Sequence, residues 1–105
     1  MVIGYCSVSS HKQKDDLERQ IDNVKTYMIA KGYQLEIITD IGSGIISNKK
    51  GLNQLIDKVI NSEVEKIVIL YKERLIRFGY ELIKNLCDKY GTTIKVINHT
   101  EKTEE

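Results

Sequence analysis

Proline is absent from all 105 residues. No Gly/Ser-rich linker, internal repeat or low-complexity run breaks the chain either, so nothing marks a second domain, and single cores serve chains of about 100 to 200 residues. Cysteine is nearly as scarce. Cys6 and Cys87 lie far apart in apolar contexts without Cys-x-x-Cys spacing, which argues against a zinc site or disulfide framework and leaves two reduced core residues. Long apolar runs are missing too. The longest, such as Ile67 to Tyr71, fall far short of the ~20 residues that cross a bilayer. No basic-then-apolar signal peptide opens the chain, so a cytoplasmic location away from membranes is expected. Charge of one sign is also lacking. Sixteen Lys and Arg against fifteen Asp and Glu leave a net +1, so any affinity for nucleic acid must be local rather than a property of the whole-molecule field. No cluster of carboxylates suggests a metal, and no cofactor fingerprint is present. What remains is 41% apolar and 30% charged residues, the balance of an ordinary globular domain.

The order of elements is readable from periodicity. Val2, Ile3, Gly4 and Tyr5 open a buried strand within Met1 to Val8. Leu17, Ile21, Val24 and Met28 form one stripe of an amphipathic helix from Lys14 to about Lys31, with Gly32 as its C-terminal cap. Leu35 to Thr39 reads as a second strand, and Asp40 to Gly51 as a polar, mobile loop. Leu52, Leu55, Ile56, Val59 and Ile60 mark a short helix. Lys66 to Tyr71 is apolar enough to be a central strand buried on both faces. Leu75, Phe78, Leu82, Leu86 and Tyr90 predict one long helix from about Glu73 to Tyr90, and Thr93 to Ile97 a fourth strand. This alternation implies an α/β fold with a mainly parallel sheet of four to five strands and helices on both faces. The domain is expected to span residues 1–98, with 99–105 a polar tail that reads as frayed or cut short.

In such sheets ligands bind outside the carboxyl ends of the strands, and three of those ends carry reactive chemistry. The first supplies Ser7, Ser9, Ser10 and His11, although a serine there serves equally well as a helix cap or turn residue, and His11 suits a solvated loop. The second supplies the glycines and lysines of the segment from Asp40 to Gly51, which matches neither a P-loop nor a Gly-x-Gly-x-x-Gly fingerprint and reads equally as a flexible polar loop. The third supplies Lys72, Arg74 and Arg77. Cations at a helix N-terminus oppose the macrodipole by some tenths of a kcal/mol, and a bound phosphate would reverse that sign. Together the three ends hold the parts for nucleophilic phosphoryl transfer: a hydroxyl, cations for the developing charge, and a pocket opening on a loop.

These segments resemble a known family. Gly4-Tyr5-Cys6-Ser7-Val8-Ser9-Ser10 with Gln13, followed by Asp16-Leu17-Glu18-Arg19-Gln20, is similar to the opening of the small serine recombinases, the resolvases and invertases. Asp40, Gly42-Ser43-Gly44 and Lys50-Gly51-Leu52 resemble their flexible-loop motif, and Glu73-Arg74-Leu75-Ile76-Arg77-Phe78-Gly79 their third catalytic motif. The Leu-Glu-Arg-Gln helix start and the Arg-Phe-Gly ending look closest to the insertion-sequence transposase branch. The resemblance implies DNA as partner and Ser9 as nucleophile, giving a 5′-phosphoserine link and a free 3′-hydroxyl without metal, nucleotide or other cofactor. It further implies Arg74 and Arg77 as phosphate ligands, Gln13 as an orienting group, and Glu73 in place of an aspartate that assists the leaving hydroxyl or positions the arginines. Lys49, Lys50, Lys72 and Ser7 would border the bound phosphates. A homodimer or higher homo-oligomer is implied, with a full-length recombinase as an alternative partner.

Three positions depart from the family pattern. Ser7 replaces an arginine two residues before the nucleophile, Lys49 replaces the loop arginine before Lys-Gly-Leu, and Glu73 replaces the aspartate. Loss of one preorganised donor to a transition-state oxyanion costs about 3 to 4 kcal/mol, a hundred- to thousandfold in rate, and lysine keeps the charge of arginine but not its fork. Impaired strand cleavage is therefore one expectation. A catalytically inactive remnant or regulator that assembles with a full-length recombinase is another. A flavodoxin-like or receiver-type signalling domain fits the element order, but lacks the acidic cluster that a receiver needs after its first strand. Family members also carry a helix-turn-helix domain and a long dimerising helix. Neither is legible in these residues, so DNA binding by them is expected to be weak and salt-sensitive.

Overall fold

Seven consecutive buried residues, Val2–Val8, form β1 of the computed structural model, which describes residues 1–42, 49–76 and 78–98. Alternation along β1 divides the core. Ile3 and Tyr5 join one apolar cluster, while Val2, Cys6 and Val8 join a second on the opposite face. β2 (Ile37–Ile41) pairs parallel with β1 from Gly4 opposite Ile37 to Val8 opposite Ile41. β3 (Lys66–Ile69) lies parallel on the other side of β1, and β4 (Thr93–Val96) lies parallel beyond it. The sheet order is β2-β1-β3-β4, so β3 is central as its apolar run predicts.

Helix α1 (Lys14–Ala30) covers one face with Leu17, Val24 and Met28 buried. α2 (Lys50–Ile60) covers the other with Leu52, Leu55 and Val59. The expected parallel α/β architecture with helices on both faces is thus present, with four strands. Among the described residues no helix is long and apolar enough to cross a membrane.

Two expectations need correction. β2 begins two residues later than Leu35, because Leu35 is exposed while Asp40 and Ile41 still pair with Ser7 and Val8. The single helix expected from Glu73 to Tyr90 is two: α3 (Lys72–Leu75) and α4 (Tyr80–Lys89). Ile76 turns to an extended conformation and is buried, and Gly79 adopts φ +89° ahead of α4. The break resets the helical phase, so Phe78 and Leu82, expected on the buried stripe, are 77% and 75% exposed while Ile83 and Cys87 enter the core. The central part of the expected mobile loop (43–48), Arg77 and the tail (99–105) lie outside the described residues.

Candidate active site

The first strand ends at Val8, and the chain then turns through a short 3₁₀ segment, His11–Gln13, into α1. That turn is closed by one side chain. The Gln13 Oε1 accepts hydrogen bonds from the Ser9 amide (3.0 Å), the Ser10 amide (3.1 Å) and the Ser9 hydroxyl (2.7 Å). Ser9 is exposed, so its oxygen is fixed in direction yet open to a ligand. Gln13 therefore touches the expected nucleophile itself.

Ser7 is buried two residues earlier, on the same face of β1 as Tyr5. Its hydroxyl donates to the Arg74 carbonyl oxygen at 2.6 Å. Gln20, a buried amide on α1, clasps the Ser7 backbone from the other side, accepting from its N–H (3.1 Å) and donating to its C=O (2.7 Å). Asp16, one turn before Gln20, accepts from Arg74 at 3.2 Å and from Arg19 at 2.9 Å. The Arg74 guanidinium also sits 6.0 Å from the Tyr71 ring centroid. β1, α1 and α3 are thus stitched together around Arg74.

The second strand contributes a buried carboxylate. Asp40 accepts from the Tyr5 hydroxyl through Oδ2, from the Gly51 amide through Oδ1 (2.8 Å) and from the Leu52 amide through Oδ2 (2.8 Å). The two amides belong to the first turn of α2, where N–H groups have no intrahelical partner and the helix dipole favours an anion. Glycine is required at the contact: a Cβ on Gly51 would lie 2.6 Å from Ile38 Cγ2 and 2.9 Å from Asp40 Oδ2. Burial, reinforced by the bond to Asp40 and by its charge, pushes the Tyr5 hydroxyl far above the ordinary tyrosine range, so it stays a neutral donor. The receiver-type alternative would need Asp40 as phosphate acceptor, and both of its oxygens are already engaged.

Docking α2 in this way fixes Lys49, the residue just before it. Lys49 is only 4% exposed. Desolvation, with the nearby Arg74 charge, lowers its pKa below the ordinary lysine value against the opposing pull of Asp40. Ser7, Val8, Ser9, Gly42, Lys49, Glu73 and Arg74 line one cleft of about 280 Å³ at the carboxyl edge of the sheet. Five of the residues singled out from sequence, Ser7, Ser9, Lys49, Glu73 and Arg74, are therefore brought together, and Gln13 contacts one of them. Lys50 is exposed in the first turn of α2, and Lys72 stands with its ammonium 5.4 Å from the Tyr80 ring centroid; neither lines the cleft. Among the described residues no group of His, Cys, Asp and Glu is arranged to hold a metal ion.

The strand-end cleft thus gathers a serine hydroxyl and two basic side chains, Lys49 and Arg74. The family model "Resolvase, N terminal domain" matches residues 2–105. This chain belongs to the resolvase family. Two proteins of Acanthamoeba polyphaga mimivirus, each called "Putative resolvase", are 46% identical to it over 103 and 101 residues. Those alignments take in 98% and 95% of this chain but 52% and 51% of the relatives, so the chain spans about half the length of the curated proteins it matches. Among solved structures, the catalytic domain of ISC1926 TnpA, described as an IS607-like serine recombinase, superposes with a TM-score of 0.86 at 42% identity, over 95% of this chain and 72% of that one. A serine recombinase from Sulfolobus solfataricus gives the same TM-score and identity over 98% and 71%. The likeness to the insertion-sequence branch agrees with the Leu-Glu-Arg-Gln and Arg-Phe-Gly signals.

Sequence reasoning gave no role to Gln20, Asp16, Asp40 or Tyr5 in this resolvase domain. Gln20 did leave a signal. It falls three residues after Leu17 and four before Val24, a polar amide on the buried stripe of α1, and a buried amide must find partners.

Proposed function

We propose that this domain cleaves and exchanges DNA strands, with Ser9 attacking a phosphodiester to form a 5′-phosphoserine link and release a 3′-hydroxyl. The observation that carries the reading is the shared cleft: the Ser9 hydroxyl opens onto the same space as Lys49 and Arg74. A phosphate seated there would have its developing negative charge met by two cations in a partly desolvated site, where such contacts are strongest. Gln13 holds the Ser9 oxygen in direction. Arg77 and Glu73 complete the set in this reading, Arg77 as a second phosphate ligand and Glu73 beside the leaving oxygen. Lys50 and Lys72 meet flanking phosphates, which suits their exposure outside the cleft. The ester stores the energy of the broken bond, so neither metal nor nucleotide is needed, and the 3′-hydroxyl of a new partner strand reverses the step. Homo-oligomers would align two such sites on one DNA.

The test is incubation with a supercoiled plasmid carrying candidate element ends, stopped in denaturant and assayed for covalent protein–DNA complexes. A complex absent with Ser9→Ala supports strand cleavage, and a complex that survives Ser9→Ala refutes this nucleophile.

Ser7 favours a second reading, that of an inactive domain assembling with a full-length recombinase. Its side chain is 3% exposed and brings no charge to the cleft. Failure to form the complex even with Ser7→Arg, together with co-purification with a full-length relative, would support this reading over the first.

A further inference from the structure

The site described so far binds and orients Ser9 without removing its proton. The Ser9 hydroxyl donates to the Gln13 Oε1 at 2.7 Å, and a neutral amide oxygen holds a proton without accepting it. Two groups lining the cleft can accept one: the Glu73 carboxylate and, when uncharged, the Lys49 amine.

Lys49 is set apart by its surroundings. It is buried at the start of α2 and lines the same cleft as the Ser9 hydroxyl. Burying a cation is costly, which favours the uncharged amine. Every element around it bears on its charge. Asp40 on β2 is close enough to favour the ammonium, but its oxygens are engaged by Tyr5 and by the Gly51 and Leu52 amides. Tyr5 on β1 stays neutral, Arg74 on α3 repels the ammonium, and Glu73 on α3 lines the same cleft. A guanidinium in this place would hold its proton throughout; an amine can release it.

We propose that Lys49 takes the proton from Ser9 as it attacks and returns it to the departing 3′-oxygen. The inference rests on the strand-cleavage reading above. The uncharged Lys49 Nζ accepts the Ser9 Oγ proton while the Oγ–P bond forms. As the P–O3′ bond breaks, the resulting ammonium protonates O3′. One proton moves twice, no oxidant or cofactor enters, and strand joining runs the same two transfers backwards. The depressed pKa of Lys49 fits such a shuttle, because a proton-transfer group works best with its pKa near the operating pH.

The experiment measures the rate of covalent complex formation from about pH 6 to pH 10 for the wild-type chain, Lys49→Arg and Glu73→Gln, with oligonucleotide binding followed in parallel by fluorescence anisotropy. A base acts when deprotonated, so the wild-type rate should rise with pH and level off below the ordinary lysine value. Lys49→Arg should bind DNA but react about 10²- to 10⁴-fold more slowly, the usual contribution of a positioned acid or base, and lose the inflection. Added alkylamines should partly rescue Lys49→Ala, the rate following amine basicity. A Lys49→Arg chain that keeps the wild-type rate and profile overturns the proposal while leaving strand cleavage standing, as does a Glu73→Gln chain that alone loses the inflection. A wild-type chain that forms no complex at all overturns the strand-cleavage reading and this proposal together.

Discussion

Asp40 shows how tightly single side chains hold this cleft in place. Its carboxylate joins β1, β2 and the start of α2 through three hydrogen bonds. Hydrogen bonds to charged groups contribute about 1.5 to 3 kcal/mol, so Tyr5→Phe should lose that much stability in urea denaturation, with the Gly51 and Leu52 amides of α2 still capped by Asp40. A variant as stable as wild type would show the bond to be dispensable. The two thiols give a second prediction. Burial pushes Cys6 up to about 12, and burial with the neighbouring Asp88 charge pushes Cys87 up to about 11. Only the thiolate reacts, and both groups become thiolates only as pH rises towards those values, so at pH 8 about one molecule in 10⁴ and one in 10³ carries the reactive form. Both should resist a disulfide reagent in the native protein, react fully in denaturant, and become reactive in the fold only under strongly alkaline conditions. Fast native reaction at pH 8 would contradict the burial of these two residues.

At the scale of elements, the break between α3 and α4 governs which side chains enter the core. Gly79 begins α4 at φ +89°, and a Cβ there would meet nothing within 4 Å. Its requirement is conformational, so Gly79→Ala should cost about 1 to 2 kcal/mol, the penalty of a left-handed backbone for an L side chain, measured as a lowered Tm with the sheet intact. An unchanged Tm would mean that the turn between the helices does not need this conformation. This break is also where the sequence was least legible. The apolar runs and the stripes of α1 and α2 set the order of strands and helices, because burial on one or both faces leaves a direct periodic trace. From Leu75 onward the same reasoning gave Phe78 and Leu82 to the core, since a periodicity carried across an unseen phase reset selects the wrong face. The contacts that build the site were hidden for a different reason. Tyr5 reaches Asp40 across 35 positions and Ser7 reaches the Arg74 carbonyl across 67, and no local pattern encodes such pairs. The residues that line the cleft were nevertheless legible as a set, because a parallel sheet gathers all its strand ends on one edge.

For the whole molecule, a net charge of +1 leaves DNA affinity to the local cations around that edge. If Lys50, Lys72, Arg74 and Arg77 each neutralise one phosphate, log affinity should fall with log salt at a slope of roughly −3 to −4, read by anisotropy on a duplex. A flat response would remove these residues from the interface. The central claim, that Ser9 forms the covalent link, is tested most directly by digesting the trapped complex with nuclease and protease and locating the nucleotide by mass spectrometry. The account predicts one modified peptide, carrying a 5′-linked nucleotide phosphate on Ser9, together with DNA ends whose free 3′-hydroxyls a polymerase extends. A nucleotide on any other residue, or ends that carry a 3′-phosphate, would contradict it.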